Sequence, residues 1–142
     1  MRLSKNFTLD ELIHSNTGER LNINNNPNQE IIDSLTLLVK EVLQPLRDGI
    51  GSFINVSSGY RCLKLNTLLG GSKTSQHMKG EAVDIKGKNN KLIFDYIKEN
   101  LIFDQLIWEF GGKWIHVSFS ENNRGEVLES YKENGKIKYK YI

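Results

Sequence analysis

The chain has 142 residues, of which 38% are hydrophobic and 25% charged, and its formal net charge is +2. That length suits one domain, 1–142, and this ordinary globular composition excludes intrinsic disorder as the main state. A small net charge without a dense basic stripe argues against nucleic acid as a partner.

Met1 to Phe7 carry charges but no apolar run of signal-peptide length, and no stretch approaches the ~20 apolar residues of a membrane span. The expectation is a protein without a membrane span, cytoplasmic as made, and monomeric. Thr8-Leu9-Asp10-Glu11 has capping-box spacing and predicts a short helix to about Ser15. The polar run Asn22 to Asn28 sets this segment apart from the main body. Asn26-Pro27 then reads as a cap followed by proline at the first helical position. Ile31, Ile32, Leu35, Leu38, Val39, Val42, Leu43 and Leu46 recur at helical spacing and mark the main core helix. Pro45 is expected to kink or end it, and Gly49 and Gly51 to close it.

Phe53 to Ser57 reads as a buried strand, and Arg61 to Leu69 as a helix stopped by Gly70-Gly71. Cys62 is the single cysteine, so no internal disulfide staples the fold. It reads as a small half-buried apolar residue. Glu81 to Lys86 reads as a strand and Lys91 to Glu99 as a helix. Phe103 to Phe110 and Trp114 to Phe119 read as two strands joined at Gly111-Gly112, where a two-residue turn needs positive φ. A last hairpin from Val127 to Tyr141 turns at Asn134-Gly135, with Lys132, Lys136, Lys138 and Lys140 on a solvated face. Helices first and antiparallel strands later predict an α+β domain, its antiparallel sheet covered by helices on one side.

The chemistry concentrates in Ser75-Gln76-His77-Met78-Lys79-Gly80-Glu81-Ala82-Val83-Asp84-Ile85. Gly80 and the β-branched Val83 and Ile85 argue against one continuous helix. His77 is expected on a loop, with a turn at Lys79-Gly80 and then a strand. On that strand Ala82 and Asp84 share one face, and Val83 and Ile85 the other. In Trp114-Ile115-His116-Val117-Ser118-Phe119, His116 shares a face with Trp114 and Ser118. Two histidines and an aspartate form a three-ligand zinc set that leaves a fourth position for water. With Gly111-Gly112 as the turn, Glu109 faces Trp114 and Ile107 faces His116. Glu109 is then a diagonal neighbour of His116, about 7–8 Å away, where a general base can reach water without ligating the metal. By the same register Gln105 opposes Ser118.

Ser-x-His-x-x-Gly-x-Ala-x-Asp followed by Trp-x-His resembles the LAS zinc metallopeptidases. These include D-Ala-D-Ala carboxypeptidases, L-alanoyl-D-glutamate endolysins of phages, and the hedgehog domain of the same fold. The resemblance extends through Ser57-Ser58-Gly59-Tyr60-Arg61-Cys62-Leu63-Lys64-Leu65-Asn66 and Asp104 to Phe110, and through Asn6 to Leu12 at the start. It implies a hedgehog/D-Ala-D-Ala peptidase-like fold, with Zn2+ held by His77, Asp84 and His116. Arg61 matches the arginine that holds the substrate or the developing oxyanion, a task suited to a guanidinium. Ser75, Gln105 and Tyr60 are implied as substrate contacts. Many members carry the catalytic acid three residues before the last histidine, where this chain has Lys113. The hedgehog-like arrangement sets the acid further back, and Glu109, seven residues before His116, fits it. The partner implied is a peptidoglycan stem peptide, reached after release from the cell or within a phage particle. A non-catalytic, zinc-stabilised binding or phage structural module is the alternative, since the fold has such members.

Overall fold

The computed structural model describes residues 1–142. The chain opens with α1 (Leu9–Ile13), whose capping box closes as its residues demand: Thr8 Oγ1 accepts from Glu11 N–H, and the Glu11 carboxylate accepts from Thr8 N–H. A second short helix, α2 (Asn16–Arg20), follows at once with Ser15 as its cap. It has too few apolar residues for helical periodicity to reveal it, and α1 accordingly ends at Ile13 rather than Ser15.

The main helix begins two residues later than Asn26-Pro27 predicts. Asn28 is the cap, its Oδ1 accepting from Ile31 N–H at 2.9 Å. From there α3 (Gln29–Leu38) runs through a π-helical turn, Val39–Leu43, into α4 (Gln44–Ile50). Pro45 therefore does not end the helix. It has no N–H to give and its ring crowds the carbonyl four residues back, and the wider turn just before it accommodates both. Gly51, at φ +67°, closes the run in the left-handed region.

The remaining elements are β1 (Ile54–Ser58), α5 (Leu63–Leu68), a 3-10 turn at Gln76–Lys79, β2 (Ala82–Gly87), α6 (Asn90–Asn100), β3 (Gln105–Glu109), β4 (Trp114–Ser118), β5 (Glu126–Glu133) and β6 (Lys136–Tyr141). Arg61 lies in the loop before α5 rather than in the helix, because its N–H is bonded to the His77 carbonyl at 3.1 Å. The strands form one six-stranded sheet in the order β1-β2-β4-β3-β5-β6. All neighbours are antiparallel except β3 and β5, which run parallel. The parallel pair departs from the purely antiparallel expectation, and its cause is local. β4 ends beside the start of β3, and the short return through 119–125 is bonded there: Gly125 N–H to the Phe103 carbonyl, Glu126 N–H to that of Asp104. β5 must then leave in the direction of β3.

Val83, Ile85, Leu106, Ile115 and Val117 face one side of the sheet, where Leu35, Leu38, Val42, Leu43 and Leu46 of the long helix and Ile93, Phe94 and Ile97 of α6 cover them. This core is an α+β packing with its helices on one face. Trp108 belongs to it, its ring 5.3 Å from that of Phe94. The β3–β4 turn is wider than two residues. Phe110, Gly111 and Gly112 all have positive φ, and the Glu109 carbonyl accepts from both Gly112 and Lys113 N–H. The register is the expected one all the same, with Glu109 opposite Trp114 and Ile107 opposite His116. The last hairpin turns at Asn134-Gly135 with positive φ at both residues. Lys136, Lys138 and Lys140 share one face of β6, whereas Lys132 alternates onto the other.

Candidate metal centre

The uncovered face of the sheet brings the two histidines and the aspartate together. Asp84 on β2 stands directly opposite His116 on β4. His77 enters from the 3-10 turn, which Ser75 caps: its Oγ accepts from His77 N–H at 3.2 Å. Gly80, at φ +71°, ends that turn and lets the chain enter β2. A Cβ at this position would lie 2.9 Å from the Ile31 carbonyl oxygen, so the turn sits tight against α3.

His77 is buried, and its Nδ1 lies 2.7 Å from the Gly59 carbonyl oxygen. A carbonyl only accepts, so Nδ1 carries the proton and Nε2 presents a lone pair. That Nε2 faces Asp84 Oδ1 at 3.4 Å, and His116 Nδ1 faces the same oxygen at 3.1 Å. The three ligand atoms lie within 4.8 Å of one another. Zinc bonds of about 2.0–2.2 Å in tetrahedral array set ligand atoms roughly 3.3–3.6 Å apart, and the two separations from Asp84 Oδ1 come close to that spacing. A buried lone pair aimed at a carboxylate also calls for positive charge between them. The donor set therefore fits a zinc-type ion held by His77 Nε2, Asp84 Oδ1 and His116 Nδ1.

Charge around Asp84 points the same way. Burial pushes its carboxyl up, but hydrogen bonds and positive charge offered at His116 and His77, the places a bound cation would take, more than reverse this and hold it well below the usual carboxylate range. Arg61 approaches the other carboxylate oxygen, Nη2 to Oδ2 at 3.4 Å. Its Nε donates to Ser58 Oγ at 3.0 Å and its Nη1 to Asn66 Oδ1 at 3.3 Å. Burial lowers the guanidinium and Asp84 offsets part of that, and the group stays charged. Arg61 thus braces Asp84 from behind and flanks the trio.

Glu109 lies on the same face, diagonal to His116, and is only 7% exposed. Burial pushes its carboxyl above the ordinary value; His116 and a Ser130 hydrogen bond act against this, and Asp84 adds to it. Gln105 lies four residues back, at the start of β3, and its side-chain amide donates to Glu126 at 3.1 Å. Its N–H bonds Ser118 Oγ, as the register anticipates. Tyr60 is half-buried with its ring against the core cluster, and its N–H bonds the Leu12 carbonyl at 2.7 Å. Lys113 is exposed in the β3–β4 turn.

Two supports escape sequence reading. Asn66 is 1% exposed; it accepts from Arg61 and donates to the Ser72 carbonyl at 2.9 Å, tying the loop before His77 to the arginine. An asparagine among leucines just before Gly70-Gly71 was the available signal. Asp104, 3% exposed, gathers Arg124 Nε at 2.8 Å, Arg124 Nη2 at 3.0 Å and Gln76 Nε2 at 3.0 Å. It joins the β4–β5 return to the His77 turn. The family model described as Peptidase M15 matches residues 5–118, and no curated protein matches the chain.

Proposed function

The chain belongs to the peptidase M15 family, whose members are metal-dependent peptidases, and on that basis we propose that it is a zinc peptidase that cuts a peptidoglycan stem-peptide bond involving a D-amino acid. The observation that carries this reading is the convergence of His77 Nε2, Asp84 Oδ1 and His116 Nδ1, with the buried Glu109 beside them on one sheet face. When bound, the zinc supplies Lewis acidity at the scissile carbonyl and a lowered pKa for the attacking water. Glu109, ionised, accepts that water's proton and returns it to the leaving amine. Its raised pKa makes it the stronger base. Arg61 turns its charge toward the substrate carboxylate or the developing negative charge. The Ser75 hydroxyl, whose oxygen accepts from His77 N–H, keeps its own proton to donate to a substrate oxygen.

A second reading, a zinc-stabilised module without turnover, rests on Lys113 at the usual place of the catalytic acid. The deciding experiment incubates the zinc-loaded protein with defined muropeptides and weighs the products, with a chelated control. Loss of one D-alanine identifies a carboxypeptidase, and release at the L-Ala–D-Glu bond an endopeptidase. No product from zinc-loaded protein overturns the peptidase reading in favour of the module.

A further inference from the structure

The C-terminal hairpin adds a row of side chains to the site face that the proposed chemistry leaves unused. Glu109 stands opposite Ser130 across the parallel β3–β5 pair, and Ser130 stands opposite Tyr139 across β5–β6. Directly opposed residues share a face, so Trp114, Glu109, Ser130 and Tyr139 form one row across four strands. Ser130 is small and 3% exposed, and its Oγ accepts from Phe110 N–H at 3.1 Å. No bulky side chain therefore separates Glu109 from Tyr139 within the row. Two strand spacings, about 10 Å, separate their backbones.

β6 alternates strictly. Lys136, Lys138 and Lys140 take the far face, where Lys140 pairs with Glu129 at 2.8 Å, and Ile137, Tyr139 and Tyr141 take the site face. Tyr141 is engaged by Glu126, its hydroxyl 3.2 Å from Oε2. Tyr139 is 55% exposed. Its phenol is a proton donor at neutral pH as any tyrosine is, and burial, then the charges of Glu109 and Asp84, push it further above the ordinary value. The hairpin that carries Ser130 and Tyr139 lies in residues 126–141, beyond the family match at 5–118.

We propose that Tyr139 is a substrate-contact residue of this site, its ring and hydroxyl holding the peptide segment that flanks the scissile bond on the Glu109 side. The inference rests on the peptidase reading above. A peptide whose carbonyl meets His77, Asp84 and His116 passes Glu109, and the Ser130–Tyr139 row is the next surface on that side. The ring supplies an apolar wall and the hydroxyl a donor for a peptide carbonyl or carboxylate.

The test is calorimetric titration of zinc-loaded Glu109→Gln protein, which binds without turnover, with the peptide L-Ala-γ-D-Glu-L-Lys-D-Ala-D-Ala. Adding Tyr139→Ala is expected to weaken binding about tenfold, and Tyr139→Phe by a smaller factor, as for an aromatic anchor with a polar tip. Tyr131→Ala, on the other face of the same hairpin, should leave binding and zinc content unchanged. Full affinity after Tyr139→Ala overturns this inference alone. Equal loss in Tyr131→Ala also overturns it, since the hairpin's fold would then be the cause. No binding by the Glu109→Gln parent overturns the peptidase reading and this inference with it.

Discussion

The Nδ1 proton of His77 is committed to the Gly59 carbonyl, and this fixes which nitrogen can face a metal. His116 solves the same problem differently: its Nδ1 meets Asp84 directly across the β2–β4 pair. Glu109 is buried beside them but does not belong to the group of three ligand atoms, which suits a base rather than a ligand. Changing Glu109 to Gln keeps the shape and removes the carboxylate proposed as the proton acceptor. It is expected to lower peptide cleavage by at least about 10²-fold, with the metal-to-protein ratio unchanged. Lys113→Ala, in the exposed turn, should keep a rate close to the parent's. Parallel measurement of product formation and bound metal checks both, and undiminished cleavage by Glu109→Gln would move the base elsewhere.

At the scale of elements, the 3-10 turn is the part whose geometry the site depends on most. Ser75 caps it, Gly80 ends it, and its carbonyl at His77 holds Arg61 N–H. Gly80→Ala forces a side chain into the left-handed region and against the Ile31 carbonyl. The backbone conformation alone costs roughly 1–2 kcal/mol, so Tm should fall by about 2–8 °C. Metal affinity should fall with it, because the turn that carries His77 must shift away from α3. Thermal melts with and without added zinc separate the two effects; an unchanged Tm would mean that the turn has slack that its close contact with α3 does not show. The long helix teaches a related point. Its apolar spacing is legible from Ile31 to Leu46, yet whether Pro45 ends or merely reshapes it depended on a π turn that spacing does not encode.

For the whole molecule, Asp104 joins parts distant in sequence: the start of β3, the return at Arg124 and the His77 turn through Gln76. The Arg124 guanidinium holds the Asp104 carboxyl below its ordinary value against the opposing effect of burial, with help from Arg124 N–H and Gln76. A folded value lower than the unfolded one stabilises the protein above the unfolded pKa of about 3.9. That contribution is lost as pH falls from there through the depressed folded value. Denaturant unfolding at pH 7 and across the acid range should show Asp104→Asn destabilised at pH 7, by about 2 kcal/mol, with a flatter decline in acid. Parallel acid profiles for variant and parent would show that other carboxylates govern the decline.

The sequence by itself determined the grouping of His77, Asp84 and His116, the β3–β4 register and the α+β layering. Each follows from a short-range rule: strand alternation fixes which side chains share a face, and glycines fix where the chain can turn. The parallel seating of β5, the commitment of Arg61 to Asp84, Ser58 and Asn66, and the row that carries Tyr139 to Glu109 were decided only by the tertiary structure. The strand seating and the row depend on which edge the chain returns to after β4, and the place of Arg61 on the loop that its N–H bond to the His77 carbonyl holds beside β2; bonds between separate segments make both choices, and no local periodicity records them.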